Sequence, residues 1–192
     1  MALRTITDLK GKLTGGGARP NLFEVELTFP TEADAAPASD VTSDVPILVK
    51  AAALPASNIA PIEIPFRGRI LKIAGDRTFE TWTITVLNDS TFKLRSAFEK
   101  WMNYINKLED GTGETDASLY QEDATVHQLD RTGKKLRTYK FYDVFPTNIS
   151  AIDLNYDTTD TLEEFTVELQ VHWWEAKKGE VTFPGGAGED IK

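Results

Sequence analysis

The stretch "PFRGRILKIAGDRTFETWTITVLND", residues 65–89, decides how the rest of the chain is read. Ile62, Ile64 and Phe66 alternate with Glu63, Pro65 and Arg67, Gly68 interrupts the pattern, and "RILKI" resumes it. This spacing predicts a hairpin over 62–73 with its tip near Arg67 to Arg69, because a glycine between two runs of period two supplies the left-handed backbone that a tight turn needs. Gly75 and Asp76 predict a second turn. After it Trp82, Ile84 and Val86 alternate with Thr81, Thr83 and Thr85, and β-branched residues on the outer positions favour a strand over a helix.

Working outward towards the N-terminus, "NLFEVELTF" places Phe23, Val25, Leu27 and Phe29 on one face and Glu24, Glu26 and Thr28 on the other, the period of a half-buried strand. Residues 31–46, "TEADAAPASDVTSDVP", are poor in large apolar groups and read as an exposed loop. "ILVKAAALPAS" supplies a short strand that Pro55 ends. Residues 1–18, with three consecutive glycines at Gly15, Gly16 and Gly17, read as an N-terminal arm.

Towards the C-terminus, Asp89 and Ser90 are able to cap a helix. Leu94, Phe98, Trp101, Ile105 and Leu108 follow at spacings of four and three, predicting one amphipathic helix over 91–108. A second hairpin is expected from 125–129, the turn "DRTGKK" and 136–145. "ISAIDLNYD" and "FTVELQVHWWE" complete the strands, the latter with Phe165, Val167, Leu169, Val171 and Trp173 on one face. Residues 177–192 read as a tail. The expected fold class is mainly β: an antiparallel β-sandwich or barrel over 19–176 with one flanking α-helix and an extended hairpin.

The chain has 192 residues, a length suited to one domain. Its 30 acidic against 21 basic residues give a formal charge of −9, which disfavours a protein built to grip phosphates. Without cysteine, neither a disulfide framework nor a cysteine zinc site is available. No apolar run approaches the roughly 18 to 20 residues that span a bilayer, so a protein without a membrane partner, made in a cytoplasm, is expected.

Signals for catalysis are weak. His127 and His172 fall in expected strands without metal-ligand spacing. Gly133-Lys134 lacks the upstream glycine of a phosphate-binding loop, and "GTGETD" follows a helix instead of a strand. Carboxylate pairs such as Glu163 and Glu164 or Asp157 and Asp160 are far commoner as solvated surface than as acid-base machinery. The expectation is a non-enzyme with no catalytic or metal-binding residues and no cofactor. Scattered basic residues argue equally against sequence-specific nucleic-acid binding.

What remains is the opening stretch. Arg67, Arg69, Asp76 and Arg77 gather near turns, beside the apolar Ile64 and Phe66, and opposite charges on projecting turns suit contact with a second copy of the chain. The residues alone leave this level with a bland alternative, an exposed ion pair contributing about 0 to 1 kcal/mol.

The sequence resembles the tail tube proteins of contractile-tailed bacteriophages. The resemblance runs in order through "ARPNLFEVEL", "VKAAALPAS", "PFRGRILKIAGDRTFETWTITVLND", "FEKWMNYIN", "VFPTNISAIDLNYD" and "FTVELQVHWWE". It implies a β-barrel or sandwich with one flanking helix whose copies form stacked hexameric rings, a hollow tube inside a contractile sheath, located in the virion tail and assembled in the host cytoplasm. It implies as partners the chain itself, the tail sheath protein, the baseplate or tail initiator and the tail terminator, with DNA passing through without being bound. By position, the hairpin over 62–73 would serve the contacts between subunits and rings, with Ile64, Phe66, Arg67, Arg69, Asp76 and Arg77 as candidate interface residues. Six copies at −9 each would make an acidic conduit. Two alternatives share the architecture, the inner tube of a type VI secretion system and that of an extracellular contractile injection system. From another class come a monomeric acidic β-domain that binds protein or carbohydrate, and a hydrolase.

Overall fold

A computed structural model describes residues 5–13, 16–31, 37, 41–179 and 190–191. Strands β1 (Phe23–Leu27), β6 (Glu122–Leu129), β7 (Lys135–Ile149) and β9 (Trp173–Lys178) form one layer. Strands β2 (Val49–Ala52), β5 (Trp82–Leu87) and β8 (Glu164–Gln170) form the other. All pairings are antiparallel. Fold class is therefore as the sequence predicts.

The two layers share β7. Its first part, to Tyr142, pairs with β6 and β9, whereas Phe145 to Ile149 pairs with β8. Asp143 sits at the changeover with φ 55, a left-handed conformation that aspartate tolerates better than bulky residues. The return corner lies opposite: the His172 N–H donates to the Tyr142 carbonyl at 3.2 Å. The expected strand over "FTVELQVHWWE" is thus two strands. Phe165, Val167, Leu169 and Val171 point inward as read, but the corner resets the alternation. Trp173 stacks on Tyr142 on the outer face at 4.1 Å, and Trp174 instead packs against the core.

Between the layers, Val25, Leu27, Val126 and Phe141 meet Trp82, Ile84, Val86, Val167 and Leu169, all buried. Helix α3 (Lys93–Ile105) closes one side by burying Leu94, Ala97, Phe98 and Trp101. Phe29 meets Phe98 and Trp101 edge-on at 5.3 and 5.6 Å, and the Trp101 indole donates to the Tyr120 carbonyl at 2.7 Å. The helix is shorter than expected. Leu108 lies outside it, almost fully exposed, and Phe92, with φ 54, precedes it in place of a side-chain cap. Asp89 bonds the Thr91 hydroxyl in the turn before.

Three further helices lie where none is expected. Helix α2 (Val41–Leu48) occupies the end of the expected 31–46 loop, burying Val41 and Val45 one turn apart. Residues 32–36 and 38–40 of that loop lie outside the described residues. Helix α1 (Ile6–Lys12) forms in the expected arm behind a Thr5–Asp8 capping box, buries no side chain, and is followed by two residues, 14 and 15, outside the described set. Helix α4 (Ala117–Tyr120) is a single turn behind Asp116. "ISAIDLNYD" is irregular beyond Ile149. Ala176 and Ile191 exchange backbone hydrogen bonds of 2.9 and 2.7 Å, so the expected tail touches the outer strand; its residues 180–189 and 192 lie outside the description.

Candidate assembly surfaces

The opening stretch forms the outlying part of the molecule. Strands β3 (Asn58–Phe66) and β4 (Arg69–Thr78) pair only with each other. At about 3.3 Å per residue this hairpin reaches roughly 30 Å. Arg67 and Gly68 make the tip with φ 47 and 80, the two positive values a two-residue hairpin turn requires. Gly75 and Asp76 do not form the expected second turn, because β4 runs straight through them. Gly75 instead lies opposite the irregularity between Ile59 and Pro61, where a Cβ would stand 2.4 Å from the Ala60 carbonyl oxygen.

The register sorts the hairpin into two faces. Ile62 pairs with Ile73, Ile64 with Leu71 and Phe66 with Arg69 on one. Pro61 pairs with Ala74, Glu63 with Lys72 and Pro65 with Ile70 on the other. Every one of these side chains is exposed. Phe66 is 66% accessible and Ile64 43%. An isolated two-stranded hairpin is marginal in water, and an apolar row of this length is uncommon on a monomer's surface. Of the candidate residues, Ile64, Phe66 and Arg69 share the apolar face and Arg67 joins them at the tip. Asp76 and Arg77 lie at the base, seven residues or about 23 Å along β4 from Arg69, so the six do not form one cluster. Lys72 pairs with Glu63 at 3.0 Å.

Among the described residues two sheet faces carry no further layer. Outside β1, β6, β7 and β9, rungs of mixed sign run across the layer: Glu26, Thr125, Lys140 and Glu175, then Glu24, His127, Thr138 and Lys177. Glu175 is buried here. The Tyr142 hydroxyl donates to it at 2.6 Å and the Lys177 ammonium reaches it at 2.7 Å, which raises the pKa of both partners. Lys140 pairs with Asp123 at 2.7 Å and is likewise raised. His127 is buried between Glu26 at 3.2 Å, Lys135 at 2.9 Å and Thr138 at 2.8 Å. Burial and the Lys135 charge hold its pKa below the ordinary value, against the pull of Glu26.

Outside β5 and β8 the surface differs: Thr83 faces Glu168, Thr85 faces Thr166, and Asn148 of β7 continues the Glu168 row. Lys50 is its one cation among these residues, bound to Glu164 at 2.5 Å. Among the described residues this layer also ends in two unpaired edges, β2 on one side and the 145–149 part of β7 on the other. Among the described residues no cluster of histidine and carboxylates stands ready for a metal; His127 lies on β6 beside Thr138, and His172 at the corner between β8 and β9, where its backbone N–H is bonded.

A family model described as phage tail tube protein matches residues 18–177. The chain belongs to the phage tail tube protein family. It is 32% identical to tail tube protein gp19 of Enterobacteria phage T4 over 164 residues, 84% of this chain and 93% of that one. It is 28% identical to the tail tube protein of Serratia phage KSP90 over 170 residues, 88% and 94% respectively. The resemblance drawn from "AGDRTF" and its companion motifs is borne out, and with it the structural role in a virion tail. Among solved structures, a chain of the anti-feeding prophage baseplate superimposes with a TM-score of 0.61 at 12% identity, covering 85% of this chain and 97% of its own. A chain of an extracellular contractile injection system sheath-tube complex does so at 0.55 and 14%, covering 92% and 99%. At such identity these likenesses speak for the fold and not for the cargo.

One exposed apolar surface lies outside the residues that the sequence pattern singles out. Leu154, Tyr156 and Leu162 project from the segment joining β7 to β8, at 82%, 103% and 75% accessibility. The available signal was three large apolar residues among Asp153, Asp157, Asp160, Glu163 and Glu164, in a stretch without a single Lys or Arg from 141 to 176.

Proposed function

We propose that copies of this chain close into rings of six, that the rings stack into the tube of a contractile tail, and that DNA passes along it unbound, with no catalysis by the chain. The carrying observation is the bare hairpin. Its apolar row finds no cover among the described residues of its own subunit, and burying such a side chain is worth about 1.5 to 3 kcal/mol. Ring closure joins the β2 edge of one copy to the 145–149 edge of the next, removing two exposed edges that otherwise invite uncontrolled pairing. The six-fold symmetrised baseplate containing a similar chain agrees with that count. Chains of similar fold also occur in a prophage tube-terminating cap and beside a sheath, which supports terminator, baseplate and sheath as partners here.

Of the two open faces, the Thr- and Glu-bearing one outside β5 and β8 lines the bore. The other carries Lys135, Lys140 and Lys177 beside the Tyr142–Trp173 stack, the pairing of cations with aromatic rings that holds single strands and phosphates. A conduit must not hold its cargo. At a Debye length of about 8 Å, carboxylates on the wall act as a short-range non-stick lining.

Negative-stain imaging of the concentrated protein with its tail initiator tests the reading. Hollow tubes are expected; monomers alone under those conditions overturn it. In the Arg69→Glu variant, tubes should become scarcer with the subunit still folded, and undiminished assembly would remove the hairpin tip from the contact.

A further inference from the structure

The segment joining β7 to β8, residues 150–163, lines an open groove of about 820 Å³ whose walls include Ile152, Leu154, Tyr156 and Leu162. Asp153 shares the lining with them, Asp157 and Asp160 stand in the same segment, and Glu163 and Glu164 complete the lining. The three aspartates make no ion pair among the described residues, and Glu163 accepts from the Asn88 amide at 2.9 Å. The groove thus mixes apolar side chains with carboxylates, of which Glu164 is paired with Lys50. No cation of its own segment neutralises it, since the chain has no Lys or Arg between Lys140 and Lys177.

The hairpin is its counterpart. In a chain of formal charge −9, residues 58–78 carry Arg67, Arg69, Lys72 and Arg77 against Glu63 and Asp76. Lys72 and Glu63 neutralise each other. Arg67 lies over the Phe66 ring at 5.2 Å, so the tip presents a guanidinium and an aromatic face together. We propose that the tip of the hairpin, Phe66 to Leu71, docks in the 150–163 groove of another copy of this chain, with Phe66 and Leu71 on the apolar walls and Arg67 and Arg69 against the aspartates. This rests on the tube reading and names the receiving surface that reading leaves open.

Two features favour a second copy as the occupant. The charges complement each other, a positive tip against a carboxylate-bearing groove, which fixes register and excludes tip-to-tip or groove-to-groove pairing. Hairpin and groove are also different patches, so the contact is heterologous. Every docked copy still offers a free hairpin and a free groove, and association propagates instead of stopping at a dimer.

The test is charge reversal and its repair. Arg67→Glu with Arg69→Glu should raise the concentration needed for tube formation at least ~10-fold, and so should Asp157→Lys with Asp160→Lys, since each places like charges across a close contact. The chain with all four changes should return to within a few fold of the wild type. Circular dichroism first establishes that each variant is folded. A second measurement uses the absence of native cysteine: Ile70→Cys with Thr161→Cys, treated with a bis-maleimide of about 10 Å reach, should give a ladder of covalent oligomers. Loop reversal without effect, four changes without recovery, or no ladder from assembled tubes overturns the docking while the tube reading stands. A wild-type chain that forms no tubes overturns both.

Discussion

Trp82 lies flat against Phe141 across the two layers, ring centroids 4.5 Å apart and planes 16° from parallel. One ring comes from β5 and the other from β7, so the pair bolts the Thr- and Glu-bearing sheet to the mixed-charge sheet, while the Trp82 indole donates to the Ala53 carbonyl at 2.8 Å. Truncating this residue leaves a void and an unpaired carbonyl. Trp82→Ala should cost about 3 to 5 kcal/mol, measured by urea unfolding of the dissociated subunit. Phe66→Ala, at an exposed site, should shift the same transition by less than about 0.5 kcal/mol. Equal costs would mean that the hairpin packs on its own subunit.

Gly75 separates folding from assembly in a second way. Its missing side chain lets β4 pass the Ala60 carbonyl, and that approach sets the angle at which the outer hairpin leaves the body. Gly75→Val should abolish tubes in micrographs and leave the thermal transition of the core in place, because no core side chain touches the site. Normal tubes from this variant would show that the bulge does not aim the hairpin.

What was legible in the sequence follows from how many faces each element buries. Strands β1, β5 and β8 each present one face to the core, so Val25 and Leu27, or Ile84 and Val86, stand out by period alone. The hairpin was equally visible from Arg67, Gly68 and their flanks, although Gly75 looked like a turn because glycine at a bulge and glycine at a turn share one signal. Helix α2 escaped because its stripe of Val41, Val45 and Leu48 is interrupted by Pro46, which reads as a break, and begins among small polar residues. The corner at Val171 and His172 escaped because adjacent tryptophans let the pattern continue on either parity: Trp173 fits the inward reading, yet Trp174 is the one that packs against the core. The candidate interface residues differ in how far the pattern places them. Ile64, Phe66 and Arg69 fall on one face by register, whereas the acidic groove around Leu154 and Tyr156 has no period at all and emerges only in three dimensions.

His127 gives the fold a pH dependence of definite sign. Its Nδ1 meets the Thr138 hydroxyl and its Nε2 faces the Lys135 ammonium, an arrangement that suits the neutral ring, and its folded pKa lies below the ordinary 6.5. The unfolded chain therefore takes up a proton at this residue before the folded one does. Its contribution is full above about 6.5 and is lost as pH falls through that value towards the folded pKa. Chemical denaturation of the subunit at pH 7.5, 6.5 and 5.5 should show falling stability, and His127→Gln should flatten the decline. An unchanged slope in that variant would assign the dependence to the carboxylates.

Glu168 tests which face lines the bore. It lies between Thr83 and Asn148 on the sheet outside β5 and β8, one strand in from the proposed 145–149 ring edge. Glu168→Lys changes the wall by two charges per copy, twelve in the proposed ring of six, and substitutes no residue of either edge strand. Tubes should still assemble. They should now retain DNA, with affinity falling steeply as salt rises, because each phosphate contact releases a condensed counterion. Wild-type tubes should retain none at 0.15 M salt. If variant tubes form normally and remain indifferent to DNA, while Glu26→Lys on the opposite face makes them bind it inside the channel, the bore is lined by β1, β6, β7 and β9 instead. The Tyr142–Trp173 stack would then face the cargo.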